Sequence, residues 1–270
     1  MSRKIIAVDL GGTNLRVSLV EGNKILRYIK NDTPKNKREL LKVLYDSIRI
    51  LNSGDVIGIG VGSPGPLIRG VIKNPPNLPL RNFNLKKELE IRFHKKVVVE
   101  NDVHCVALAE AELGVKKKNF VVFAFGTGVG GGIIINGKVY LGQGYAGELG
   151  HITLSNGKYL EDLWQESAVY IKEHFGKNTL IKDLIIMKNK EANIVIESIS
   201  DYIAQGIATA INIFDPEIVV LNGGVKEAGD ALLNKIKDKV KRYVMLPRET
   251  AIVWSKLDHP GTLGASLLIK

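Results

Sequence analysis

Short apolar runs and polar breaks alternate along the chain in an order that occurs twice. Apolar stretches at 5–10, 14–20 and 24–29, broken by Gly11-Gly12 and by Glu21-Gly22-Asn23, predict three strands joined by tight turns. Leu40, Leu41, Leu44, Ile48 and Leu51 recur at helical spacing across 38–51, and a buried strand follows at 56–61. A helix over 85–93, a strand over 97–101 and an Ala-rich helix over 103–113 complete a βββαβαβα order. The pattern restarts with a strand at 119–125, a glycine loop, a strand at 132–135, the hairpin signal Asn136-Gly137 and a short strand from Lys138. Helices at 163–175 and 194–214, a strand at 218–221, a helix at 225–244 and a strand at 251–254 follow, with a last helix over 262–269. Such a duplication predicts two related α/β lobes with a ligand held between them.

Composition agrees with two lobes, because 270 residues at 45% apolar content exceed the usual single-domain size. Asp9 interrupts the first apolar run before a signal-peptide core forms, and no uninterrupted apolar stretch approaches the roughly 20 residues of a membrane span. A cytoplasmic protein is the expectation. The single cysteine, Cys105, excludes an internal disulfide and a cysteine-cluster zinc site, and reads as a small buried thiol. The net charge of +10 raises nucleic acid as a partner. Its lysines and arginines are nevertheless scattered over 35–38, 116–118, 188–190 and 235–242, as solvated helix faces would have them.

Polar candidates cluster at the turns. Asp9, Gly11, Gly12, Thr13 and Asn14 lie between two strands, where glycines let backbone N–H groups point at an anion. A phosphate cradle and an ordinary Gly-Gly hairpin fit that segment equally. Asp9 cannot face phosphate without a cation, so it is a candidate water-mediated partner of Mg²⁺. Gly126, Thr127 and Gly128 open a second glycine loop, and because a strand follows it rather than a helix, the dinucleotide-binding reading fails. No Gly-Lys-Ser or Gly-Lys-Thr triplet supplies a Walker A loop. Gly223 and Gly224 leave room for a ring or ribose near the backbone, though a packing turn fits nearly as well. Asn101 and Asp102 stand where a strand runs into a helix, with Asp102 readable as general base or as helix cap. Glu148, His151 and Glu161 add polar groups in glycine-rich surroundings, which suits a polyol.

Taken in order, Asp9-Leu-Gly-Gly-Thr-Asn, Gly62-Ser-Pro-Gly-Pro, Asn74-Pro-Pro-Asn-Leu, Glu100-Asn-Asp, Gly126-Thr-Gly-Val-Gly-Gly-Gly, Gly147-Glu-Leu-Gly-His and Leu221-Asn-Gly-Gly resemble the ROK family of sugar kinases and repressors, glucokinases among them. The resemblance covers nearly the whole chain. It implies a two-lobed actin-like/hexokinase (ribonuclease H-like) α/β fold with a βββαβα core in each lobe. It places a small lobe at 1–115, a large lobe at 116–261, and the helix 262–270 back on the small lobe. By the same resemblance Asp102 is the catalytic base, Asn77, Asn101, Glu148, His151 and Glu161 contact sugar, and Gly65 contributes backbone. Asp9, Gly12, Thr13, Gly126, Thr127 and Gly128 match the phosphate loops, and Gly223 and Gly224 the adenosine motif. The cofactors implied are ATP and Mg²⁺, and the activity is phosphorylation of a hexose at its 6-hydroxyl, glucose first, with mannose and N-acetylhexosamines as runners-up.

Two departures stand out. The stretch 155–161 lacks the Cys-x-Cys-Gly-x-x-Gly-Cys zinc cluster of many members, so zinc is not expected, as in an archaeal-type branch, and His151 must be oriented by hydrogen bonds. Leu80 stands where Trp is frequent in the family. Glu148, His151, Glu161 and Asn101 are expected to be buried around the substrate. A sugar-sensing repressor would need a DNA-binding module ahead of the first strand, and only Met1 to Lys4 precede it here, so neither nucleic acid nor membrane is an expected partner. A homodimer is the assembly frequent in the family.

Overall fold

The computed structural model describes residues 3–75, 77–155 and 157–269. Met1, Ser2, Pro76, Asn156 and Lys270 lie outside that description, and with them the outermost positions of the expected lobe 1–115 and helix 262–270. The chain divides into two compact units, one of Met1–Lys116, Lys138–Ala146 and Leu257–Lys270, the other of Lys117–Gly137 and Gly147–Lys256. Residues 138–146, which the sequence boundary assigns to the second lobe, thus group with the first.

The first unit opens with β1 (Lys4–Leu10), β2 (Asn14–Glu21), β3 (Lys24–Asp32), α1 (Lys37–Leu51) and β4 (Val56–Ser63). It continues through β5 (Leu67–Ile68), β6 (Val71–Ile72), β7 (Phe83–Asn84), α2 (Leu85–Phe93), β8 (Lys96–Asn101) and α3 (Asp102–Glu112). Its main sheet runs β3-β2-β1-β4-β8. β1 is antiparallel to β2 and parallel to β4. Alternation along β1 sends Ile6, Val8 and Leu10 to one face, where Leu40, Leu44 and Ile48 of α1 and Leu85 and Leu89 of α2 cover them. Ala7 faces the other way, among Val20, Cys105, Ala109, Leu263 and Ala265.

The second unit holds β9 (Phe120–Phe125) and β10 (Val129–Ile135), before β11 (Lys138–Val139) returns to the first. After a 3-10 turn at Leu149–His151 come α4 (Leu160–Phe175), α5 (Ile181–Met187), α6 (Lys190–Phe214) and β12 (Ile218–Gly223). A second 3-10 turn at Gly224–Ala228 leads into α7 (Gly229–Val240) and β13 (Ala251–Trp254). β9 is antiparallel to β10 and parallel to β12, which is parallel to β13. That pairing repeats the β1, β2 and β4 arrangement. α8 (Pro260–Leu267) closes the chain in the first unit.

Small residues on the second face of the first sheet let α8 and α3 approach closely. A Cβ on Gly60 of β4 would strike the Ala265 carbonyl, and one on Gly264 would strike the carbonyl of Cys105. The sequence needs glycine there for space, and the result is a fixed seat for the N-terminus of α3.

Several expectations change. The helix expected over 225–244 is shortened because Gly229 takes a left-handed φ of 65°, leaving a 3-10 turn before α7. The strand expected from Gly132 begins at Val129, so most of the second glycine run lies inside β10. The two-residue strands β5 to β7 and the seven-residue α5 were too short to show a period. α6 is long and apolar enough to cross a bilayer, which amends the expectation that no segment is; two thirds of its most apolar window is buried, as in a core helix.

Candidate functional site

In the first unit the β1–β2 turn is stapled from outside. Gly11 N–H donates to the Asn14 carbonyl at 3.0 Å, Thr33 Oγ1 to the Gly11 carbonyl at 2.7 Å, and Lys35 Nζ to the Gly12 carbonyl at 2.7 Å. Thr33 N–H donates to the Thr13 carbonyl at 2.9 Å, so the stretch from Gly11 to Asn14 is held at each step. Neither glycine has a positive φ. Space is the reason for glycine at 12, where a Cβ would lie 2.8 Å from Cβ of Asn77. Asn77, itself left-handed at φ 60°, is therefore brought against the turn, and Gly65, at φ 83°, bends the chain between β4 and β5.

Asp9, next to the last residue of β1, lies beside this turn and pairs with Arg16 at 3.0 Å. Burial raises its carboxyl above the ordinary value, and the charges of Arg16 and His259 oppose that rise. Gly261, in the first turn of α8, keeps the Asp9 carboxylate approachable, since a Cβ there would lie 3.4 Å from it.

Asp102 begins α3, and the cap is not its work. Asn101 Oδ1 accepts from Val103 N–H at 2.9 Å and His104 N–H at 3.1 Å, which makes Asn101 the N-cap. Asp102 Oδ1 takes a further 2.9 Å bond from Val103 N–H. Burial first, and the charge of Asp9 second, push its carboxyl up to about 7, against the pull of backbone donors and of His104. An amide engaged in capping keeps only its Nδ2 donor for a ligand, so the sequence-predicted role of Asn101 narrows to donation.

The residue behind Asp102 was not singled out from sequence. His104 is buried, with 4% of its side chain exposed, and its Nδ1 lies 3.1 Å from Glu100 Oε1. Its Nε2 lies 2.9 Å from the Ala146 carbonyl. The Glu100/His104 spacing of four residues across the strand-to-helix junction was the available signal.

In the second unit, the loop at Gly126, Thr127 and Gly128 closes through Gly126 N–H donating to the Gly128 carbonyl at 2.9 Å. Trp164 Nε1 of α4 donates to the Gly126 carbonyl at 2.8 Å, an anchor that the sequence reading missed. Glu161, in the first turn of α4, accepts from Val129 N–H at 2.6 Å through Oε2, and a Cβ on Gly128 would run into that carboxylate. Glu161, expected beside sugar, is thus placed on the Gly126–Gly128 loop. Gly223, at φ 100°, is pressed on the Phe125 carbonyl just before the loop, while Gly224 is open.

Glu148 precedes the 3-10 turn and His151 ends it, with His151 Nδ1 and Glu148 Oε2 3.7 Å apart. The Tyr159 ring lies 5.3 Å from the His151 ring and orients it. Both side chains were expected to be buried, and instead they are 47% and 57% exposed. The turn buries Leu149 and Gly150, the latter under the Val129 carbonyl, and so directs the flanking polar groups outward. The structure brings Asp9, Gly12, Asn77 and Asp102 together in the first unit, and Gly126, Gly128, Glu161 and Gly223 in the second.

Known proteins supply the frame for this arrangement. The chain is 30% identical over 308 residues to a glucokinase of Thermotoga maritima, covering 99% of this chain and 97% of that one. A ROK family glucokinase from Streptomyces griseus, solved with glucose and AMPPNP, superposes with a TM-score of 0.86 at 25% identity, over 98% of this chain and 99% of that one. The ROK hexokinase of Thermus thermophilus superposes at 0.82 with 28% identity, over 98% and 97%. The sequence pattern of the ROK family matches residues 5–270, and this chain belongs to the ROK family.

Proposed function

We propose that this protein transfers the γ-phosphoryl group of ATP to the 6-hydroxyl of a hexose, with glucose as the first substrate. It is an ATP-dependent sugar kinase by its kinship with glucokinases over nearly the full length. The observation that carries the chemistry is Asp102: Asn101 relieves it of capping, and burial lifts its carboxyl to about 7. A base works best with a pKa near the working pH, where it is ionised and still takes a proton readily.

In this reading, the Asp102 carboxylate accepts the proton of the 6-hydroxyl as that oxygen forms its bond to the γ-phosphorus. The bond from that phosphorus to the β–γ bridging oxygen breaks, ADP leaves, and Asp102 returns its proton to solvent. Positioning and charge do the remaining work in phosphoryl transfer. Gly11, Gly12, Thr13 and Asn14 serve one set of nucleotide phosphate contacts, Gly126, Thr127 and Gly128 another, and Gly223 and Gly224 receive the nucleoside. Gly65, Asn77, Asn101, Glu148 and His151 read the sugar, while Glu161 holds the second glycine loop through Val129 N–H. A site built to bond hydroxyls rejects analogues lacking them.

Mg²⁺, bound with the nucleotide, would neutralise phosphate charge. Asp9 would meet it through water, and the fit rests on the carboxylate pair: Asp9 raises Asp102, a repulsion that a divalent cation relieves. A cytoplasmic location fits this reading, since ATP is abundant there.

The test is a panel of hexoses and N-acetylhexosamines with ATP and Mg²⁺, read as phosphorylated sugar. Glucose 6-phosphate with the highest kcat/KM supports the reading in full. Preference for an N-acetylhexosamine would replace the substrate and keep the chemistry, and ADP release with no phosphorylated sugar would overturn the proposal.

A further inference from the structure

His104 faces two acceptors. Its Nε2 lies 2.9 Å from the Ala146 carbonyl, which can only accept, so Nε2 carries a proton. Its Nδ1 lies 3.1 Å from Glu100 Oε1, and that same oxygen already takes Asn101 N–H at 2.8 Å. One proton lies between Nδ1 and Oε1, and because a glutamic acid is the stronger acid of the pair and Oε1 already accepts a backbone N–H, that proton resides on Nδ1. The buried ring is therefore a cation two residues from Asp102, in the one helical turn that also presents Asp102.

We propose that His104, held as an imidazolium between Glu100 and the Ala146 carbonyl, is a positioning residue: it ties the segment 138–146 onto α3 and supplies a positive charge beside Asp102. The proposal rests on Asp102 being the base. Two effects act to keep Asp102 protonated, its burial and the charge of Asp9. A fixed cation on the same helix opposes both, and so maintains the ionised form that accepts a proton. The tie has a second consequence: Ala146 directly precedes Gly147 and Glu148, so the chain leaves this anchor just before the Glu148/His151 turn. The ionisable groups around the ring are few. Glu100 from β8 and Asp102 from α3 itself act on the ring; among the elements packed on α3, β11 carries Lys138, which is exposed, and β4 and α8 carry no ionisable side chain. Burial acts against the charge on both groups, yet Glu100 is still held below its ordinary value by the ring and the Asn101 N–H, and the ring is still raised by Glu100 and the Ala146 carbonyl, in keeping with an ion pair.

The experiment uses the full chain labelled with ¹⁵N-histidine and ¹³C-aspartate. Both ring nitrogens of His104 are expected to be protonated at pH 7, and a neutral ring with only Nε2 protonated would overturn the proposal. Replacing His104→Gln keeps a donor but removes the charge, and should raise the Asp102 carboxyl midpoint by about 0.5–1 pH unit. An unchanged midpoint with only a lowered melting temperature would make His104 merely structural. Should that variant not fold, Glu100→Gln, which can still donate to Nδ1, should leave the ring neutral at pH 7; a ring that stays charged there overturns the pairing. With a hexose substrate, the acid limb of kcat/KM should move by the same interval while KM for ATP stays constant. If the wild type phosphorylates no sugar, the kinase reading fails, and the two NMR titrations still judge the imidazolium and its charge effect separately.

Discussion

The two glycine turns look alike in sequence and are built differently. The β1–β2 turn is held by polar groups from the following loop, Thr33 and Lys35, and is crowded at Gly12 by Cβ of the left-handed Asn77. The β9–β10 loop is held by α4, through the Trp164 indole on Gly126 and the Glu161 carboxylate on Val129 N–H. One turn is walled by a stiff, strained backbone position and the other by the far end of a flexible side chain. Glycine is therefore required at both for close approach, but the cost of breaking the requirement differs.

Substitution separates them. Gly12→Ala forces Asn77 or the turn to move, and a displacement of that kind should lower kcat/KM for ATP by about 100-fold. Gly128→Ala meets only the tip of Glu161, so about a 10-fold loss is expected. Adding Glu161→Ala to Gly128→Ala should return part of that loss, a coupling measurable in a double-mutant cycle. Equal losses at the two glycines, with no rescue, would erase the distinction. Trp164→Phe removes one hydrogen bond and keeps the ring, and should cost about 1 kcal/mol of stability. Thermal melts check it.

Asp102 belongs with the first turn by charge. Its carboxyl, pushed up to about 7, binds its proton more tightly folded than unfolded. Its ionisation therefore weakens the fold progressively as pH rises from the ordinary carboxylate range through 7. Asp102→Asn should accordingly raise the melting temperature at pH 8 and give less gain at pH 5, a pattern expected where activity and stability compete. An equal gain at both values would mean that the carboxyl titrates normally.

Much of this was legible from residue pattern. The short apolar runs marked β1, β2 and β9, and Asn136-Gly137 marked its hairpin, with both residues at positive φ as a primed turn requires. Asp102 was readable as base or cap, and only coordinates assign the cap to Asn101. Burial was the weaker inference. Glu148 and His151 are polar groups among glycines in any reading, yet which way a one-turn 3-10 helix points its side chains depends on Leu149 and Gly150 finding cover in the second unit. His104 escaped notice because a histidine on an Ala-rich helix has no periodic signature, and its meaning comes from Ala146, distant in sequence. Trp164 was equally invisible, since its partner is a backbone carbonyl.

The account stands or falls on the carboxylate at 102. The most direct measurement is turnover of Asp102→Asn with glucose and ATP at pH 8, alongside glucose affinity by calorimetry. A fall in kcat of about 100- to 10,000-fold with glucose affinity held within a few-fold is predicted. Turnover close to wild type would contradict the assignment.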